Sequence, residues 1–152
     1  MTDRSDYASL VVAAERTRPG RNSFADGFKK GLPKMTDINE LATVFVPGAA
    51  ELDDLEDWGP LDEATGPEMR TSGITIWQDG DDEVGIWECT PGPSRWLLQT
   101  NELVHVVKGK MTVAIDGGAP VELGVGDTAV FPKGWAGTWD IHETLRKVYA
   151  IF

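Results

Sequence analysis

From Met35 to Phe152 apolar and polar residues alternate in short runs. A period of two puts successive side chains on opposite faces of a β-strand. These runs predict strands over 41–46, 72–78, 83–90, 95–99, 103–107, 111–116, 120–123, 128–131, 137–141 and 145–152. Gly, Pro and Asp stand between them, and Asp79-Gly80-Asp81-Asp82 and Asp116-Gly117-Gly118 are hairpin-turn signals. Residues 51–63 carry a run of carboxylates and read as a solvated acidic loop. Strands recurring about every ten residues, with turn chemistry between them, predict an all-β antiparallel sandwich or small barrel. Several strands are apolar on both faces, where a single wet face gives cleaner alternation. A homodimer packed through the side of the barrel is therefore expected.

The pattern changes before Met35. Over residues 5–16 Leu10, Val11 and Ala14 form a weak apolar stripe, with Ser5 or Asp6 as a cap, which predicts a short helix. Residues 17–34 are rich in Gly, Pro and basic side chains and read as linker. Charge shifts at the same place. Residues 1–34 hold seven Lys/Arg and four Asp/Glu, whereas residues 35–152 hold seven and twenty-one. The expected organisation is an N-terminal extension over 1–34, helical or disordered, and one β domain over 35–152. The extension is either a loose addition, with Met35 as the natural start, or an arm that packs on a partner subunit.

Composition narrows the partners. The formal net charge of -11 repels phosphate backbones, so no nucleic-acid partner is expected. No apolar run reaches the ~18 residues of a membrane span, and no signal-peptide core is present, so no membrane partner is expected either. The one cysteine, Cys89, excludes an intrachain disulfide and suits a reducing, cytoplasmic setting. It sits in an apolar run and reads as a small buried hydrophobe. Ser72 and Ser94 lack a His/Asp partner in motif context, and there is no glycine-rich phosphate loop.

Two glycine-punctuated segments carry the strongest signal. Glu102 is followed by Gly109, and Gly126, Pro132 and Gly134 recur after one hairpin. Each reads as a strand closed by a tight turn. Together they resemble the two motifs of the cupin (jelly-roll) β-barrel, G-x5-H-x-H-x3/4-E-x6-G and G-x5-P-x-G-x2-H-x3-N. Trp87 to Gly92, then Arg95-Trp96, Trp139 and Arg146 to Tyr149 follow in order. That order is similar to a group of small single-domain cupins that includes the cupin domain of (S)-ureidoglycine aminohydrolase and the ethanolamine-utilisation cupin. The resemblance covers roughly residues 40–152.

In cupins the motif histidines and glutamate hold a metal ion. The resemblance places those histidines here at Trp96, Leu98 and Gly137, and only the carboxylate, Glu102, is kept. A first-row ion needs about three or four converging N/O donors. Glu102 with water would hold only a divalent ion that binds weakly, so no tightly held metal or other cofactor is expected. His105 lies three residues past Glu102, on the opposite face of a regular strand, and His142 lies beyond Trp139 near a turn.

An inward carboxylate needs hydrogen bonds or a cation. Lys147 and Tyr149 share one face of the last strand and can reach Glu102 across the barrel. The expected site is therefore Glu102, Lys147 and Tyr149, in a pocket also lined by Trp96, Leu98 and Trp139. The same cluster is also readable as an internal salt bridge that ties two strands. As a site, it would anchor a small ligand bearing an amide, amine or carboxylate. In a water-poor pocket such a pair could also move protons without a metal. The competing function is a metal-dependent enzyme resembling ureidoglycine aminohydrolase, acting on a ureido or amide nitrogen.

Overall fold

A computed structural model describes residues 43–152. The predicted helix over 5–16, the linker over 17–34 and the boundary at Met35 lie outside the described residues. Eight strands follow: β1 Glu56–Pro60, β2 Arg70–Asp79, β3 Asp82–Cys89, β4 Gly92–Leu97, β5 Glu102–Ile115, β6 Val121–Gly124, β7 Thr128–Phe131 and β8 Ala136–Ile151. Every pairing between them is antiparallel. The spatial order is β1-β2-β3-β8-β5-β6, with β4 also on β8 and β7 also on β5. This is the all-β jelly-roll architecture that the sequence predicts. No described helix is long and apolar enough to cross a membrane.

Two long strands carry the barrel. The C-terminal part of β8, Leu145 to Ile151, lies between β3 and the first half of β5. Its N-terminal part, from Ala136 to Ile141, lies between β4 and the second half of β5. Sequence patterning divides each of these strands in two, at Gly109 and near His142, and in both cases the chain runs on. Gly109 is the site of a bulge, not a turn. Its φ of 78° and register shifts on either side break the β5–β8 ladder locally. A Cβ there would collide with the Thr144 carbonyl oxygen. The bulge reverses the strand's phase. Glu102, Val104 and Val106 are buried before it, and Met111 and Val113 after it. One strand can thus face the interior at even positions and then at odd ones. Periodicity read along a sequence sees this phase change as an end.

Two further expectations are corrected. Residues 43–46 form no strand, and the acidic stretch holds β1 instead. Alternation there is real, but Trp58 gives β1 an apolar anchor. Gly73 lies beneath its ring, where a Cβ would sit 2.6 Å from the indole. The strand predicted over 95–99 is observed as Gly92–Leu97, so Leu98 lies just past its end. The core gathers Met69, Ile86, Cys89, Val104, Met111, Trp139 and Leu145, all with no exposed area.

Candidate functional site

The barrel holds a half-open cavity of about 350 Å³. Three neighbouring strands build its floor. On β8 Lys147, Tyr149 and Ile151 alternate inward. Across the ladder on β3 they face Trp87, Gly85 and Glu83, and on β5 they face Val106, Val104 and Glu102. Glu83 and Glu102 thus flank Ile151 from opposite sides. Trp96 and Leu98 close one wall, and Trp58 and Leu61 from the β1 region close another. The exposed Asp62 and Glu63 stand at the rim.

Lys147 and Glu102 meet directly. The ammonium donates to Glu102 Oε1 at 2.6 Å, with side-chain exposures of 5% and 9%. Two indole faces enclose the same ammonium. Its Nζ lies 4.6 Å from the Trp87 ring centroid and 4.4 Å from that of Trp139. A buried cation needs such partners, because an unpaired charge in this setting costs several kcal/mol.

Tyr149 lines the same cavity, and its hydroxyl donates to Glu83 Oε1. Thr75 adds a second hydroxyl to that oxygen at 3.3 Å. Glu83 is 4% exposed and was not singled out from the sequence. Nothing in its local pattern marks it, since it follows a hairpin turn among other acids. Only the β3–β8 register brings it to the tyrosine. Trp58 and Trp87 were likewise not read as cavity walls, although both line it.

Trp96, Leu98, Glu102, Lys147 and Tyr149 therefore share one cavity. Trp139 does not line it. It is fully buried beneath, stacked on Trp96 with centroids 4.7 Å apart and tilted by 33°. Ser94 fixes this pair. Its buried hydroxyl accepts from Trp96 Nε1 at 2.9 Å and donates to the Trp139 carbonyl at 3.1 Å.

The cupin metal site fails on the donors present. Trp96 and Leu98 offer no ligand atom. Gly137 offers no room for one: a Cβ there would strike the Ala114 carbonyl and lie 2.5 Å from the Trp135 ring. Among the described residues no group of three His, Cys, Asp or Glu side chains could hold an ion. The histidines point elsewhere. His105 Nδ1 pairs with Thr128 Oγ1 at 2.8 Å and His142 Nε2 with Thr112 Oγ1 at 2.7 Å, both at exposed positions.

Cys89 is fully buried, and burial pushes its thiol up to about 12 while nearby Lys147 offsets part of that. Such a thiol is not a nucleophile at neutral pH.

Residues 77–149 match the EutQ-like cupin domain family. No curated protein matches the chain. Among solved structures it is similar to a protein of unknown function of the DUF861 family from Pseudomonas syringae pathovar tomato. That match has a TM-score of 0.61 and 22% identity and covers 66% of this chain. The chain spans 45% of that protein's length. It is also similar to the EutQ protein of Clostridium difficile, with a TM-score of 0.53, 21% identity, and coverage of 61% of this chain and 75% of that one. A putative ethanolamine utilisation protein Q from Salmonella typhimurium gives a TM-score of 0.51 at 18% identity, over 62% of this chain and 76% of that one. At these identities the likeness speaks for the fold. Together, the strand order and these likenesses give the described residues the cupin fold, with residues 77–149 matching the EutQ-like cupin domain model.

Proposed function

We propose that this domain binds a small polar metabolite in the cavity, with the Glu102–Lys147 pair as its anchor and without a tightly held metal. The observation that carries this reading is the 2.6 Å contact between a buried ammonium and a buried carboxylate at the cavity wall. A lysine side chain there supplies the positive charge that Glu102 would otherwise share with an ion. Aromatic walls with a few converging polar groups suit small-molecule recognition. The Glu83–Tyr149 pair adds a second polar contact and, with Lys147, groups that can carry protons in a metal-independent reaction.

A thermal-shift screen with ureides, amines and small organic acids tests the reading. Ligand stabilisation should fall in Glu102→Gln, with the fold retained by circular dichroism. An unchanged shift in that variant would remove Glu102 as the anchor. The alternative, a metal-dependent enzyme resembling ureidoglycine aminohydrolase, needs donors that Trp96, Leu98 and Gly137 do not provide. Elemental analysis of protein purified without chelator separates the two. Near-stoichiometric manganese, iron or zinc would favour the alternative. A homodimer is proposed as the working unit, to be checked by light scattering.

A further inference from the structure

The two carboxylates of the cavity floor and the single ammonium are not equivalent toward a ligand. Lys147 is already engaged on several sides. It donates a hydrogen bond to Glu102 Oε1, and the faces of Trp87 and Trp139 lie 4.6 and 4.4 Å away. An ammonium that already has a carboxylate and two indole faces gains less from a ligand anion than an unpartnered one would. Glu102 is different. Among the described residues its one hydrogen-bond donor, Lys147, binds Oε1, and none donates to Oε2. Nor is Oε2 sealed in the core, since the one fully buried, unpartnered side-chain polar atom among the described residues is Trp139 Nε1. Glu102 is nine-tenths buried and lines the cavity, so Oε2 opens into it.

The rest of the lining has the same sign. Among the described lining residues Glu83, Asp62 and Glu63 add three carboxyl groups, and Lys147 is the sole cationic side chain. Trp58 and Trp96 supply indole surface beside them. Acceptors next to indole surface select against anions and favour a cation with an apolar frame.

We propose that the occupant of this cavity is an organic cation: a small amine whose ammonium donates to Glu102 Oε2 and whose carbon frame lies against Trp58 and Trp96. This deepens the binding reading above and rests on it. Lys147 is then a positioning residue. It holds one oxygen of Glu102 and leaves the other aimed at the ligand.

Two matched sets of probes test the charge. One is phenethylamine, 2-phenylethanol and phenylacetate; the other is n-butylamine, n-butanol and butyrate. Binding to the full chain is read from the tryptophan indole N–H signals in nitrogen-15 correlation spectra. The amine of at least one set should move the Trp96 and Trp58 signals and bind about tenfold or more tighter than its alcohol, the worth of one charge-assisted hydrogen bond. The carboxylates should leave these signals in place. Glu102→Gln should remove the amine's advantage over the alcohol. In case that buried change disturbs folding, the rim double variant Asp62→Asn/Glu63→Gln alters only exposed side chains and should weaken the amine several-fold. Tighter binding of a carboxylate, or equal binding of amine and alcohol, would overturn the organic cation and leave the cavity as a binding site. Silence from all six compounds would overturn the binding reading as well.

Discussion

Gly85 and Tyr149 face each other across β3 and β8, and the space left by the missing Cβ is filled by the phenol. A methyl group at Gly85 would lie 2.6 Å from the Tyr149 hydroxyl and 2.7 Å from the Ile74 carbonyl oxygen. The glycine therefore lets the ring lie across the sheet, where its hydroxyl meets Glu83. Gly85→Ala should cost about 1–3 kcal/mol of stability, the range of overpacking and of a lost buried hydrogen bond. Urea denaturation measures it. Tyr149→Phe in that background should recover only part of the loss, because the clash with the Ile74 carbonyl remains.

The Glu102–Lys147 pair should be strongly coupled. Lys147→Met alone leaves a buried carboxylate without its cation and should cost about 3–5 kcal/mol. Glu102→Leu with Lys147→Met removes both charges and should lie within about 2 kcal/mol of the parent. A double-mutant cycle by chemical denaturation gives the coupling directly. Additive single and double effects would mean that the two groups do not depend on each other.

Gly109 should be intolerant of any side chain. Its φ of 78° and the Thr144 carbonyl against its Cα leave no place for a Cβ. Gly109→Ala should lose on the order of 3 kcal/mol or more, from backbone strain and overpacking together. Exchange of the β5 and β8 amides around Thr144, followed by mass spectrometry, should speed up most.

Acid should loosen two surface links. The Arg95 guanidinium holds the Asp116 carboxyl below its ordinary value of 3.8, through contacts of 2.6 and 2.7 Å. The Gly59 amide and then Arg70 do the same for Asp57. A carboxyl lowered in the folded state stabilises above its unfolded pKa, and that contribution is lost as pH falls through the folded value. Asp116→Asn should lower the melting temperature at pH 7. The gap to the parent should shrink below pH 3.8 and close at still lower pH. A gap that stayed constant from pH 7 to pH 2 would rule the linkage out.

Much of the site was legible before folding. Glu102 stands out because its spacing to Gly109 resembles the cupin motif, whose glutamate holds a metal, and Lys147 and Tyr149 because they share a strand face. The resemblance to the cupin motif places Trp96 and Leu98 with Glu102. Glu83 was not legible. Its role depends on which residue of β8 lies opposite β3, and a register is a property of two strands. Trp139 was placed at the wall and lies beneath it, because alternation gives the face of a residue but not its depth.

By itself the sequence determined which face most of the strands turn inward and that imidazoles are absent from the positions where the cupin motifs carry them, because side-chain direction and residue type are local properties. The tertiary structure decided what takes their place. Strand pairing sets an ammonium between a carboxylate and two indoles, and joins Tyr149 to Glu83. Those contacts join residues up to 66 positions apart, and they exist only because β8 is paired with β3 on one side and β5 on the other.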